Sequence, residues 1–556
     1  MGDIWDQIEA QINKRSEAIN GVNNKDINKV EPNQKNDKNE TNQKNNKKEP
    51  KKSIKSSKKA VDIGPSVDIY ITRSGTYINT EKHSHEIIKK IQNYYTLHDK
   101  TIMGYFNHTS NWIYKKNKLY IPRFGSLFLE KKFKNVNYIN TILPNNLLPN
   151  MTYTGKLFNT NQEIIFKAIM DNKFNKDNME KGKAGLILNL PAGQGKTFLG
   201  MYLISIIKCR TLIVTHNSSI LDQWVKLLTE YFPNTKIGMY YGKKKVYGDI
   251  MVGVINSLIM DEIKLAKFDS MREFYNNFDL VILDECHEYC SASRRRIYEI
   301  AQCPYMIGLS ATPDERSTDS LDRINHWGIG PILVADKLPG YTSKDVDFQG
   351  HVTAIKYSGH PDFIHHITNE KLDMASVPLI IGQICEDRYR LKMIVSLILE
   401  QHVNGFNILV LADRRSYLED IRLELEIAKV EGHMLTDDKE YKQLEAIRLV
   451  GGSSNVDFEL AKTSKNIILS SYQYFGTGVS IPTLNAIVLV TPRKSKSKQY
   501  INRIFRLGSD MSIVRQIIDI VDIKVSLKSM WYNRKKYYDE QGYDIEDRKI
   551  AWKEFE

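Results

Sequence analysis

The sequence predicts an α/β chain carrying two tandem parallel sheets, and three observations lead there. Two successive series of short apolar runs alternate with helical stretches of about a dozen residues, the pattern of parallel sheets covered by crossover helices. GLILNL, RTLIVTH, IMVGVI, LVILDE and YMIGLSA form the first series; FNILVLAD, NIILSS, AIVLVTP and IVDIKV form the second. Their shared periodicity predicts two similar lobes, 151–340 and 341–556, hinged within 335–350. The third observation is a change of composition near residue 60, before which apolar side chains become scarce.

Residues 1–64 are expected to hold a short amphipathic helix, MGDIWDQIEAQINKR, and then a disordered basic tract over 21–60. Asn, Lys, Gln and Ser cannot bury enough apolar surface to offset the entropy of ordering them. Residues 25–60 hold twelve lysines against five acids, more than half of the net charge of +13. The tract reads as a solvated spacer; the alternative is an arm that holds nucleic-acid phosphates. The N-terminus has no apolar h-region, and no run of eighteen apolar residues occurs in the chain. Neither a secretion signal nor a membrane partner is therefore expected. Cys209, Cys286, Cys290, Cys303 and Cys385 form no CxxC pair, so they read as reduced thiols of a cytosol-like compartment.

Residues 65–150 predict a small accessory domain. VDIYITRSGTYI has the pattern of a hairpin, HEIIKKIQNYYTL that of a helix, and KLYIPRFGSLFLEKKF follows, with no chemistry evident in any of them.

The run GLILNL leads into Pro191-Ala192-Gly193-Gln194-Gly195-Lys196-Thr197 and then the helical FLGMYLISIIK. A glycine-rich turn between strand and helix aims backbone N–H groups at one point. The positive end of the helix dipole adds to them, so the turn suits phosphate. Lys196 is placed to reach the β- and γ-phosphates of a nucleotide, and the Thr197 hydroxyl to hold Mg²⁺. Leu190 stands where the strict eight-residue pattern has its first glycine.

LVILDE ends in Asp284-Glu285-Cys286-His287. Four apolar residues before the acids place them at the carboxyl end of a buried strand, where α/β sheets bind ligands. Asp284 is the candidate Mg²⁺ ligand, acting through water, and Glu285 the candidate base for the attacking water. Cys286 and His287 lack the second pair that a zinc site needs.

YMIGLSATP supplies Ser310-Ala311-Thr312 after another strand. Gln499-Tyr-Ile-Asn-Arg503-Ile-Phe-Arg506 puts two arginines on one helical face, and an arginine reaching a γ-phosphate stabilises transition-state charge. The neighbouring Arg493, Lys494, Lys496 and Lys498 fit either a basic surface or a phosphate backbone. In FGTGVSIP, Gly476 and Gly478 allow close approach to ATP or to a nucleic-acid strand.

Taken together, residues 155–545 resemble the superfamily 2 helicases. Gln162 in FNTNQEIIF resembles the glutamine that reads adenine, and PAGQGKT resembles motif I. TLIVTHNSSILDQW resembles motif Ia, DECH motif II, SAT motif III, FNILVLADRR motif IV, GTGVSIP motif V and QYINRIFRLG motif VI. The resemblance implies two RecA-like lobes, ATP with Mg²⁺, and nucleic acid as partner. LPAGQGKTFLG, LDQW and the ending IVDIKVSLKSMWYNRKKYYDEQGYDI narrow it to the group of the TFIIH repair helicase and the phage annealing helicases. YIPRFG is similar to the transcript-release helicases of poxviruses and other large DNA viruses. That likeness implies an RNA polymerase or transcription complex as partner and a place in the host cytoplasm, viral factory or virion, while the Gln162 position and the C-terminal resemblance imply DNA rather than RNA as substrate. An RNA helicase is the alternative, because such motors grip backbone phosphates and read little base identity. A non-catalytic scaffold is disfavoured, since Lys196, Thr197, Asp284, Glu285, Arg503 and Arg506 are all present. Ser480 stands where the superfamily often carries an acid, and no nuclease constellation surrounds Pro361-Asp362.

Overall fold

The computed structural model describes residues 64–556 apart from 101–105, 158, 192–193, 266–272, 315–319, 343–348, 364–376, 436–443, 464–465, 477–480, 482, 494–499, 506–509, 511 and 524–525. The tract expected to be disordered lies outside the described residues, as do Ala192, Gly193, Gly478, Ser480, Arg506 and the lysines at 494, 496 and 498.

The chain opens with the expected hairpin of β1 (Gly64–Thr72) and β2 (Gly75–Asn79), turned through Arg73 and Ser74. The helix His85–Tyr94 follows, and then a two-stranded unit of β3 (Thr96–Lys100) and β4 (Phe106–Ser110). With β5 (Ile113–Lys115), β6 (Lys118–Ile121) and β7 (Phe133–Asn140) the first hairpin makes a five-stranded sheet ordered β5-β6-β2-β1-β7.

The second sheet has eight strands: β8 (Gly185–Asn189), β9 (Thr211–Thr215), β10 (Ile237–Tyr241), β11 (Lys244–Val246), β12 (Ile250–Val254), β13 (Leu280–Asp284), β14 (Tyr305–Ser310) and β15 (Ile332–Val334). Their order is β11-β10-β12-β9-β13-β14-β8-β15, parallel throughout except for β11. Every residue of β9, β12, β13 and β14 is buried, as expected of a parallel sheet covered on both faces.

The third sheet, ordered β18-β19-β17-β20-β21-β16-β22, is wholly parallel. It contains β16 (Gly350–Tyr357), β17 (Ile408–Ala412), β18 (Ala446–Leu449), β19 (Ile467–Ser471), β20 (Ala486–Leu489), β21 (Arg515–Asp522) and β22 (Asp544–Ile550). The two-sheet α/β class read from the sequence is therefore the observed one. Two details differ. The run expected at IVDIKV begins earlier, at Arg515, whose guanidinium is fully buried and donates to the carbonyls of Ile504, Asp510 and Ile513. A further strand, β22, follows the helix Ser529–Gln541. Among the described residues no helix is long and apolar enough to cross a membrane.

The accessory sheet shares a hydrophobic core with one face of the second sheet: Ile69, Ile71, Ile91 and Phe124 belong to the same cluster as Leu212, Val214 and Val281. A Cβ on Gly185, at the start of β8, would lie 2.2 Å from the Phe124 ring. The buried Arg123 donates to the carbonyls of Gly182, Cys303 and Pro304, and burial brings its guanidinium down to about 10. Arg73 adds bonds to the carbonyls of Phe278 and Gln302 and an ion pair with Asp279 at 3.5 Å. The RFG of YIPRFG is thus a clamp between two sheets.

Candidate active site

The site lies at the carboxyl ends of β8, β14 and β13, which stand side by side in that order. The loop after β8 ends at Gly195, whose φ of +78° is left-handed, and the helix Lys196–Ile207 begins there with no side-chain cap. Its first backbone N–H groups are therefore left for an anion. Gly195 suits that left-handed φ, and a Cβ there would displace the Gln162 amide, whose Nε2 would stand 2.2 Å away. Gln162 is buried in the first turn of the helix Thr160–Asn172, capped by Asn159, and donates to the Gln194 carbonyl at 3.3 Å. The expected adenine reader and the phosphate loop are neighbours. Leu190 takes the first glycine's place without penalty: its side chain is fully buried and its φ is not positive. Its carbonyl accepts from Lys196 Nζ at 3.2 Å.

Lys196 Nζ also stands 3.9 Å from Glu285 Oε1, bridging the width of β14. Glu285 follows β13 in a left-handed conformation, φ +48° and ψ +52°, which costs a non-glycine residue roughly 1–2 kcal/mol. Burial pushes its carboxyl up, but the charges of Lys196, His287, Arg503 and His216 outweigh that, and the net shift is downward. His287 Nδ1 lies 3.4 Å from Glu285 Oε2 and 2.9 Å from Ser310 Oγ, which in turn accepts from Thr312 N at 3.0 Å. The DECH and SAT segments are thereby one hydrogen-bonded unit.

Asp284 has the opposite character. Burial and then the Glu285 charge raise its carboxyl to about 6. Its Oδ1 accepts from Glu285 N at 3.0 Å and its Oδ2 from the Trp224 indole at 2.8 Å. Trp224 reaches it because Ile220, Leu221, Trp224 and Leu228 form the buried face of the helix Ser218–Tyr231. A buried carboxyl raised to about 6 suits a hard divalent cation such as Mg²⁺, for which the hydroxyl of Thr197, in the first turn of the helix Lys196–Ile207, is the other candidate ligand. The cation would offset the desolvation of the charged form.

From the third sheet's side comes Arg503. Burial lowers its guanidinium, and the carboxylate of Glu285 partly offsets this, so the two charges face one another. The helix expected to carry Arg503 does not continue through it. Residues 502–505 are turn and bend, with Arg503 N, Ile504 N and Phe505 N bonding three residues back. The Ile504 carbonyl is taken by Arg515 Nε at 2.8 Å, which diverts it from a regular helix. Arg493, a candidate phosphate contact, is instead paired with Asp413 and lies over the Tyr472 ring.

The structure thus gathers Gln162, Gln194, Gly195, Lys196, Asp284, Glu285 and Arg503, while Pro191 is exposed at the loop's start. Sequence reasoning missed Trp224 and His216 as members. A signal existed for each: Trp224 lies on the apolar face of its helix, and His216 directly follows a buried strand's carboxyl end.

Residues 156–315 match the family described as "Type III restriction enzyme, res subunit". Protein QP509L of African swine fever virus, a candidate ATP-dependent RNA helicase, is 30% identical over 77% of this chain and 81% of its own length. Protein L396 of Acanthamoeba polyphaga mimivirus, described in the same way, is 28% identical over 86% of this chain and 87% of its own. The transcript termination protein A18 of fowlpox virus is 23% identical over 63% of this chain and 72% of its own. With a phosphate loop, an acidic pair and an arginine from a second parallel sheet meeting at one point, the chain belongs to this family of viral ATP-dependent helicases.

Proposed function

We propose that the chain is an ATP-driven DNA helicase or translocase acting in viral-type transcription, where it releases transcripts. The observation that carries the reading is the convergence of Lys196, His287 and Arg503 on one carboxylate, with Arg503 arriving from the other sheet. In this scheme 65–150 is an accessory domain, 151–340 the ATP-binding lobe and 341–556 the second lobe. Gln162 reads the adenine, and the loop Pro191–Thr197 with its backbone N–H groups cradles the phosphates, Gly478 closing on them from the second lobe. Lys196 leaves Glu285 for the β- and γ-phosphates, freeing the carboxylate to take a proton from the attacking water. Thr197 and Asp284 hold Mg²⁺, which neutralises phosphate charge. Arg503 and Arg506 stabilise the charge that develops on the transferred group. Because those arginines belong to the second lobe, the γ-phosphate favours a closed state, and a strand lying across both lobes favours the same state.

Support for a transcription role is the fowlpox relative's name, and support for DNA is the likeness of the C-terminal ending to DNA-directed relatives. A polymerase or transcription complex is the fitting partner, in the host cytoplasm, viral factory or virion. RNA is the second reading, favoured by the descriptions of the African swine fever virus and mimivirus relatives as RNA helicases. Steady-state ATPase measured against single-stranded DNA and RNA separates them. Low basal turnover raised several-fold by DNA is expected; stimulation by RNA alone hands the case to the second reading, and inertness to both overturns the motor.

A further inference from the structure

Between the accessory sheet and residues 295–302 and 324–328 lies a half-open cleft of about 540 Å³ that contains none of the nucleotide-site residues. On one wall is the β5–β6 hairpin, turned through Lys116 and Asn117, both at positive φ. On the other is the short turn Arg294–Arg296, some ten residues after the DECH segment. Lys115, Lys116, Lys118, Arg295 and Arg296 line the space against one acid, Glu299. Trp112, half-buried, and the buried Trp327 supply aromatic surface, and Ile113 at the hairpin's edge is 54% exposed.

Lysines on an edge strand have an ordinary use in blocking strand-to-strand aggregation. That explains the hairpin's lysines but neither the two arginines opposite them nor the half-buried Trp112 ring beside them. The walls are also fixed. Arg295 donates to Asn111 Oδ1 at 3.2 Å across the cleft, and the Trp112 indole donates to Thr96 Oγ1 at 2.9 Å. Among the described residues Lys115 and Lys116 have no carboxylate partner. Cations spaced along a groove with aromatic rings beside them are what a single strand requires: charge for its phosphates and π-surface for its bases.

We propose that this cleft binds single-stranded nucleic acid, as a second contact separate from the motor's ATP-linked track. Strand binding here is carried by Lys115, Lys116 and the Arg295–Arg296 wall, with Trp112 stacking on a base. The test uses the full chain without nucleotide and follows a dye-labelled oligothymidylate, and an oligouridylate beside it, by fluorescence anisotropy between about 50 and 200 mM salt. The Lys115→Ala/Lys116→Ala variant is expected to lower the slope of log affinity against log salt by about 1.4, at 0.7 per lost phosphate contact. Trp112→Leu is expected to weaken binding about tenfold, with Trp112→Phe as the ring-keeping control that binds nearly as wild type. The lysine variant touches exposed hairpin positions, so its melting temperature and its ATP turnover at saturating strand should match wild type while the half-saturating strand concentration rises. Unchanged affinity and slope in the lysine variant and in Trp112→Leu overturn the cleft while leaving the motor intact. Polyglutamate that displaces the strand equally from wild type and from Trp112→Leu also overturns it, pointing to an acidic protein segment. A wild type that binds neither oligonucleotide sinks both this site and the nucleic-acid function.

Discussion

The Trp224 indole donates to Asp284 Oδ2 at 2.8 Å, so a helix packed under the second sheet holds the carboxylate best placed for Mg²⁺. The bond favours the ionised form of a group that burial would otherwise protonate. Trp224→Phe keeps the ring and removes the donor. The half-saturating Mg²⁺ concentration for turnover should rise several-fold, and stability should fall by about 1–3 kcal/mol. A Mg²⁺ titration of ATPase and a denaturant melt check both; an unchanged Mg²⁺ requirement would remove Asp284 from the metal site.

Lys196→Ala should abolish turnover, because it deletes the charge that faces the β- and γ-phosphates. Glu285→Gln should bind ATP normally and hydrolyse it at least about a hundredfold more slowly, since only the proton acceptor is lost. Nucleotide binding by fluorescence beside steady-state turnover distinguishes the two. Near-wild-type turnover in Glu285→Gln would mean that another group is the base.

Turnover should decline on the acid side as Asp284 takes a proton near pH 6, while Glu285, shifted downward, remains ionised. The folded state binds the Asp284 proton more tightly than the unfolded chain does. This carboxyl's contribution to stability therefore decreases as pH rises from 3.8 to about 6. A profile of turnover against pH at limiting Mg²⁺ should show the decline near pH 6, and saturating Mg²⁺ should move it lower. An acid limb that is insensitive to Mg²⁺ would contradict the assignment.

Arg503→Ala should remove most strand-stimulated turnover while nearly preserving ATP affinity, because a finger acts chiefly in the transition state. Arginine fingers elsewhere contribute about 10³–10⁵ in rate, and Arg506→Ala is expected to behave likewise. Losing Arg503 also takes a positive charge from Glu285, so the carboxyl should move upward. ATP affinity that collapses in step with turnover would make Arg503 a ground-state binder.

Arg123→Ala should destabilise the chain by about 3 kcal/mol or more, leaving the carbonyls of Gly182, Cys303 and Pro304 buried without their donor. Thermal denaturation checks this. A loss within about 0.5 kcal/mol would show that the clamp is replaceable.

The strands that carry the site were legible because each is a short apolar run ended by a polar cluster: Leu280–Asp284 before DECH and Gly185–Asn189 before the phosphate loop. Strands at the rim were not. In β22, Asp544–Ile550, only Ile550 is buried, so DIEDRKI shows no strand alternation, and its pairing with β16 spans a wide gap in sequence. The start of β21 was hidden by a buried arginine, Arg515, satisfied entirely by carbonyls. Order and spacing of motifs brought out Lys196, Asp284, Glu285 and Arg503. They could not show that Trp224 bonds Asp284 or that His216 faces Glu285, since both depend on where a neighbouring strand's helix and loop come to rest.

The Phe124 ring against Gly185 sets a limit on how the chain can be divided. The accessory sheet supplies one side of the core whose other side is the strand leading to the phosphate loop. A protein trimmed to begin near residue 150 would bare Leu212, Val214 and Val281 to water and invite self-association. The excised motor would then be a poor proxy for the whole. Any residue larger than glycine at 185 would meet the Ile329 carbonyl as well as the Phe124 ring, so a smaller side chain at 124 would not make room for it and glycine should persist at 185 among relatives.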